Sequence, residues 1–236
     1  MRARRVTPVL ELAGISRDYH GLRPLRIAEL VVAAGERVAI LGLDAPAAEV
    51  FVNLATGAAL PDTGQVALFG RATSEIADSA DWLATVDRIG IVSERAVLLE
   101  ELTVIQNLAM PFTLAIEPPA DEVRDRAAAI AREVRLPEAA WTQPVARLDA
   151  AGKMRVRLGR AVALDPAVLL LEHASAAVER GSVQQLGADI AALAAARGAA
   201  LVALSADDGF ARAVATRVLT LQLSTGVLKE RRRGWF

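Results

Sequence analysis

Cysteine is absent from this 236-residue chain, histidine occurs only as His20 and His173, and aromatic residues make up 4% of it. Without thiols, neither a disulfide framework nor thiolate metal ligation is available. Two histidines far apart in sequence make a poor basis for a metal site, so none is expected. Charge of one sign is also lacking: the formal net charge is −1, and no global basic field exists to recruit nucleic acid or an acidic membrane. Nowhere do eighteen apolar residues run uninterrupted, so no membrane-spanning helix is predicted. The basic start Met1-Arg2-Ala3-Arg4-Arg5 is followed by no long apolar stretch and does not read as a secretory signal. The expectation is a soluble, cytoplasmic protein. A basic-aromatic cluster, Arg231-Arg232-Arg233-Gly234-Trp235-Phe236, reads as a solvated terminus, with membrane or partner contact as its other use.

What the chain has in quantity is alanine and aliphatic residues, which points to abundant helix packed on an aliphatic core. Short β-rich runs alternate with helical periodicity, the pattern of an α/β domain. Val9-Leu10-Glu11-Leu12, residues 36–41 (ERVAIL) and residues 65–69 (QVALF) read as strands, the last after the turn Pro61-Asp62-Thr63-Gly64. Residues 88–92, 168–171 and 200–204 are compact apolar runs suited to strands buried on both faces, as in a parallel sheet. Ser224-Thr225-Gly226 marks a hairpin turn between two β-like runs. Residues 121–135 place Val123, Ala127, Ile130, Ala131 and Val134 on one helical face; residues 183–197 do the same with Val183, Leu186, Ile190, Leu193 and Ala194. Between Arg95 and Arg160 no strand is legible, and Pro118, Pro119 and Pro137 punctuate what reads as a helical insertion.

The order of these signals resembles the ABC-transporter ATP-binding cassette over nearly the whole chain. Residues 10–70 are similar to the family's opening: a strand, a loop bearing Tyr19, the segment Ala34-Gly35-Glu36-Arg37, a second strand, Leu41-Gly42, then Asn53-Leu54-Ala55-Thr56-Gly57 and Pro61-Asp62-Thr63-Gly64-Gln65-Val66. Ile89-Gly90-Ile91-Val92-Ser93-Glu94, followed by Glu101-Leu102-Thr103-Val104-Ile105-Gln106-Asn107-Leu108, resembles the glutamine-loop region. Arg155-Val156 with residues 158–171 (LGRAVALDPAVLLL) is similar to the helix and strand between the family's signature and its Walker B motif. Leu114 and Ala109-Met110-Pro111-Phe112 resemble lipid-transport members of the Mla type. The resemblance implies an α/β, P-loop NTPase-like cassette with a mostly parallel core sheet, an antiparallel β subdomain and a helical insertion. It implies a single domain over residues 1–236, with an α/β core at 1–94 and 161–236 and a helical subdomain at 95–160.

The family's chemistry requires a glycine-rich loop wrapping phosphates with backbone N–H groups, a lysine on those phosphates, and a hydroxyl on magnesium. The matching run here is Gly42-Leu43-Asp44-Ala45-Pro46-Ala47-Ala48-Glu49. Ala45 and Ala47 replace glycines, Ala48 replaces the lysine and Glu49 the hydroxyl. Alanine where φ is positive is expected to be strained, and Pro46 removes a donor. Glu49 sets an anion where a polyphosphate would lie; two unit charges about 4 Å apart repel by roughly 4 kcal/mol at an effective dielectric near 20. Where the family has the magnesium Asp and the catalytic Glu, this chain has Glu172 and His173. His173 is readable as a base, since imidazole titrates near neutrality, but a polar cap on a strand end is the reading preferred here. The coupling glutamine is replaced by Glu94, the switch histidine by Ala206, and the signature loop reads Leu148-Asp149-Ala150-Ala151-Gly152. Tyr19 matches a role stacking on adenine, or is an ordinary half-buried loop aromatic.

The function implied is a degenerate ATP-binding-cassette subunit: a structural or regulatory partner of an integral membrane permease, with ATP hydrolysis impaired or absent. ATP and magnesium are its cofactors only if the altered site still binds them. It would sit on the inner face of the membrane through that permease, as a homodimer or paired with an intact cassette. Leu98, Leu99 and Phe112 are the expected apolar anchors of the permease-facing surface. Two other readings stand beside this one: a working transporter ATPase, with lipids as candidate cargo, or a soluble regulator reusing the fold. A hydrolase on Ser175 or Ser205 with His173 lacks the G-x-S-x-G turn that such chemistry uses.

Overall fold

The computed structural model describes residues 8–231; the basic residues 1–5 and the aromatic end of the C-terminal cluster lie outside that range. In chain order the elements are β1 (Pro8–Arg17), β2 (Leu25–Ala33), β3 (Arg37–Leu41), α1 (Ala45–Ala55), β4 (Thr63–Leu68), β5 (Arg71–Ala72), α2 (Ser79–Val86) and β6 (Ile89–Ser93). There follow α3 (Val104–Ala109), α4 (Asp121–Glu133), α5 (Ala150–Val162), β7 (Val168–Glu172), α6 (Arg180–Ala196), β8 (Ala200–Ser205), α7 (Asp208–Val214), β9 (Arg217–Gln222) and β10 (Val227–Glu230).

Two sheets result. One, ordered β2-β1-β4-β5, is antiparallel throughout. The other, ordered β10-β9-β3-β8-β7-β6, is parallel except for the β9–β10 hairpin. The reason lies in alternation along the central strands. Val38, Ile40, Leu170, Val202 and Leu204 point into one hydrophobic core, shared with α1 and the antiparallel sheet. Their neighbours Ala39, Leu41, Leu169, Leu171, Leu201 and Ala203 point into a second core, shared with α3 to α7. Strands buried on both faces read as continuous apolar runs, and that is what residues 168–171 and 200–204 are. Helix α1 lies between the sheets with Phe51 fully buried, a contact worth roughly 1.5–3 kcal/mol. Gly90 lets α5 lie directly against β6, because a Cβ there would come 2.5 Å from the Ala161 carbonyl.

The run between β6 and β7 carries α3, α4 and α5, and its only β pairing among the described residues is the isolated bridge between Thr103 and Pro144. The capping box of Thr103 and Gln106 starts α3. Four elements were not legible in the residue pattern: β2, β5, α2 and α7. No residue of α2 is buried, so it leaves no apolar stripe, and α7 is only seven residues long.

Candidate functional site

In a doubly wound sheet the loops leaving the carboxyl ends of adjacent strands converge, and ligands bind there. Register puts Leu41 beside Ser205, Leu204 beside Glu172, and Glu172 beside Ser93. The loops beginning at Gly42, Glu94, His173 and Ala206 therefore emerge side by side. This brings together most of the residues singled out in the sequence.

After β3 the chain turns at Gly42, whose φ of 99° is open to glycine and whose missing Cβ would lie 3.2 Å from the Leu221 carbonyl. Asp44 then caps α1: its Oδ1 accepts from the Ala47 N–H at 2.9 Å. Helix α1 begins at Ala45, and this removes the anticipated strain. Neither Ala45 nor Ala47 has positive φ, since both are helical, and Pro46 stands in the first turn where its missing N–H is no loss. Ala48 is fully buried.

Glu49 does not stand as an unopposed anion. Its Oε1 accepts from Arg95 Nη1 at 2.8 Å. The same guanidinium reaches Glu172 at the end of β7, with Nε 3.1 Å from both carboxylate oxygens and Nη2 2.6 Å from Oε2. The Glu172 side chain is 7% exposed, against 46% for Glu49 and 45% for Arg95. The hydrogen bonds it donates to Glu172, followed by the charges of Glu172 and Glu49, hold the Arg95 pKa above its ordinary value. Arg95 was not among the sequence-derived site residues. An arginine directly after Glu94 was the available signal, but nothing local shows that it reaches two carboxylates 46 and 77 positions away.

His173 adopts φ 46°, donates its backbone N–H to the Leu204 carbonyl at 2.9 Å, and leaves Nε2 buried without a hydrogen-bond partner among the described residues. That ring nitrogen is thus shut away from water. Ala206 is exposed, and Asp207 beside it caps α7 by accepting from Phe210 N–H. Tyr19 is half-buried in the β1–β2 loop, and the loop folds onto its ring, where a Cβ on Gly21 would lie 2.6 Å from it. Burial, and then the Asp44 anion, raise its phenol pKa above the ordinary value.

Leu148 to Gly152 do not join this group. Asp149 caps α5 by accepting from Gly152 N–H at 2.6 Å, and Ala150, Ala151 and Gly152 form the first turn of that helix. The segment opens instead on a separate groove with Arg135, Arg155 and Gln185. Glu94 is exposed, and its carbonyl accepts from Arg157 of α5. A further groove of about 370 Å³ runs between β6 and α5, lined by Ile91, Met110, Pro111, Arg157, Arg160 and Leu164. Burial, and then the neighbouring Arg157, lower the Arg160 pKa.

The sequence profile described as ABC transporter matches residues 25–176, from the start of β2 to just beyond β7. The chain belongs to the ABC transporter family. It is 30% identical over 215 residues to the methionine import ATP-binding protein MetN of Brucella abortus (strain 2308), covering 91% of this chain and 57% of the relative. The chain thus spans little more than half the length of that relative. The lipoprotein-releasing system ATP-binding protein LolD of Chromohalobacter salexigens is 28% identical over 94% of this chain and 93% of its own. Among solved structures, the dimeric ATP-binding cassette MJ0796 bound to ADP and Pi superposes with a TM-score of 0.76 at 22% identity, over 96% of this chain and all of the other. The fold is accordingly that of an ABC cassette. No helix among the described residues is long and apolar enough to cross a membrane.

Proposed function

We propose that this chain is a cassette subunit that neither binds nor hydrolyses Mg-ATP and serves an integral membrane permease as a structural or regulatory partner. The observation that carries the reading is the start of α1. A phosphate at a helix N-terminus needs free N–H groups and, here, a cation. Pro46 has no N–H, the Ala47 N–H goes to Asp44 Oδ1, and the Ala48 N–H goes to the Asp44 carbonyl. Ala48 supplies no charge, and Asp44 and Glu49 add two carboxylates to this helix start. The nearby cation, Arg95, is committed to Glu49 and Glu172. Mg-ATP does not fit these residues.

On this reading residues 1–236 form one cassette, with 95–160 as its helical subdomain, peripheral on the cytoplasmic face of the membrane. Two of its named relatives, MetN and LolD, are ATP-binding proteins of an import and a releasing system, which supports assignment to a transporter. The groove between β6 and α5 is the face offered to the permease, and Met110 and Pro111, from the run that resembles lipid-transport members, line it. The second cassette of the complex is another copy or an intact paralogue. Isothermal calorimetry and a phosphate-release assay on the purified chain test the core of the reading. Neither heat of binding nor turnover is expected at millimolar Mg-ATP. Micromolar affinity, or turnover abolished by changing His173, would sink it.

A further inference from the structure

Arg95 stands between two sets of contacts that run in opposite directions. Its side chain joins Glu49 of α1 to Glu172 of β7. The backbone on either side of it is held by α5: Arg157 donates to the Glu94 and Ala96 carbonyls at 3.3 and 3.1 Å, and Arg160 donates to the Val97 carbonyl at 2.6 Å. The Arg95 and Ala96 N–H groups both turn back onto Ser93, at its Oγ and its carbonyl, each at 3.1 Å. Residues 94–97 are thus pinned from the sheet side by one guanidinium and from the helical side by two.

A planar guanidinium has donors on separate edges and serves two carboxylates at once, with a geometry that a compact ammonium cannot match. Its demand is set by Glu172, which is nearly buried and whose charge has to be paired. Glu49, half-exposed, contributes less. We propose that Arg95 is the site's own counter-cation: a positioning residue that holds residues 94–97 in one arrangement without any exchangeable metal or nucleotide. The proposal deepens the reading given above and rests on it for the identity of the site. It adds that the segment joining the sheet to the helical insertion is set permanently and does not answer to a ligand.

Hydrogen exchange on the whole chain tests it, read at the Arg95 and Ala96 amides. In the natural protein these amides should be protected, with no change on adding millimolar Mg-ATP or Mn²⁺ alone. In Arg95→Met they should exchange about tenfold faster or more, while the amides of β3, β7 and β8 keep their protection. Because Arg95→Met strands a buried carboxylate and could impair folding, Arg95→Met with Glu172→Gln is the second variant. It should regain the thermal stability of the natural chain yet keep fast exchange at 95 and 96. Arg95→Lys, reaching one carboxylate at a time, should fall between. Natural protection in the double variant would overturn the proposal, since a merely structural ion pair is dispensable once its anion is neutral. A change at 95 and 96 on adding Mg-ATP to the natural chain would overturn it too. Calorimetric binding of Mg-ATP without such a change would instead sink the functional reading and leave the clamp standing.

Discussion

The Asp44 carboxylate is turned onto the chain's own backbone, at the amide of Ala47. That single contact both starts α1 and uses the donor a phosphate would need. Replacing Asp44 by alanine should therefore lower stability by about 1 kcal/mol, while serine should retain most of it. Urea unfolding followed by circular dichroism measures the difference, and an unchanged midpoint for Asp44→Ala would show that the cap contributes nothing. At the same scale, His173 and Glu172 are adjacent in sequence but differ in circumstance. Glu172 has a single charged partner, Arg95, that reaches both its oxygens, whereas the His173 Nε2 has no hydrogen-bond partner among the described residues. Burial with or without a partner is a property of the fold, and neither residue's type announces it.

Helix α1 is the element on which restoring a phosphate site would turn. Consider Ala45→Gly, Pro46→Ala, Ala47→Gly, Ala48→Lys and Glu49→Ser made together. The lysine supplies counter-charge, the Glu49 change removes an anion, and one arm of Arg95 is released. The two glycines do not relieve strain, because Ala45 and Ala47 are already helical. They let the first turn unwind into a loop, at up to about 1 kcal/mol each. The rebuilt chain should unfold at lower denaturant than the natural one and bind Mg-ATP measurably by calorimetry. Hydrolysis should stay absent, because His173 and Ala206 remain. A rebuilt chain that folds yet binds no nucleotide would mean that residues 42–49 are not a phosphate loop in disguise.

Across the molecule, the groove between β6 and α5 is the docking face of the proposed reading. Leu98 is not its anchor: it is buried in the core that contains the helices. Phe112 also packs against that core, with the Arg126 guanidinium 3.8 Å above its ring. The exposed apolar groups beside the groove are Leu164, 54% exposed, and Val97, 73% exposed, whose carbonyl is held by Arg160. Charged substitution at both, Val97→Glu with Leu164→Glu, should leave folding intact and move the chain from the membrane to the soluble fraction of its host's lysate. An anchor residue typically contributes 1–3 kcal/mol or more, so two charges should suffice. Retention on the membrane with unchanged melting temperature would place the docking surface elsewhere.

Periodicity along the chain determines most of the architecture. The apolar runs at 168–171 and 200–204 can only be satisfied between two layers, and the stripes of α4 and α6 each have one face to bury. The same holds for the family, because its order of turns, strands and helices is local information. Alanine at 45, 47 and 48, where the resemblance implies two glycines and a lysine, is legible in the same way, as residue types at set spacing. What surrounds these positions is not. Glu49, Arg95 and Glu172 lie far apart in the chain and meet only because β3, β8, β7 and β6 follow one another in one sheet and their loops leave at the same end. Whether an isolated carboxylate repels a ligand or is neutralised depends on which strand ends are neighbours, and strand order is set by packing of the whole sheet. Tertiary structure alone therefore decided that the site carries its own cation.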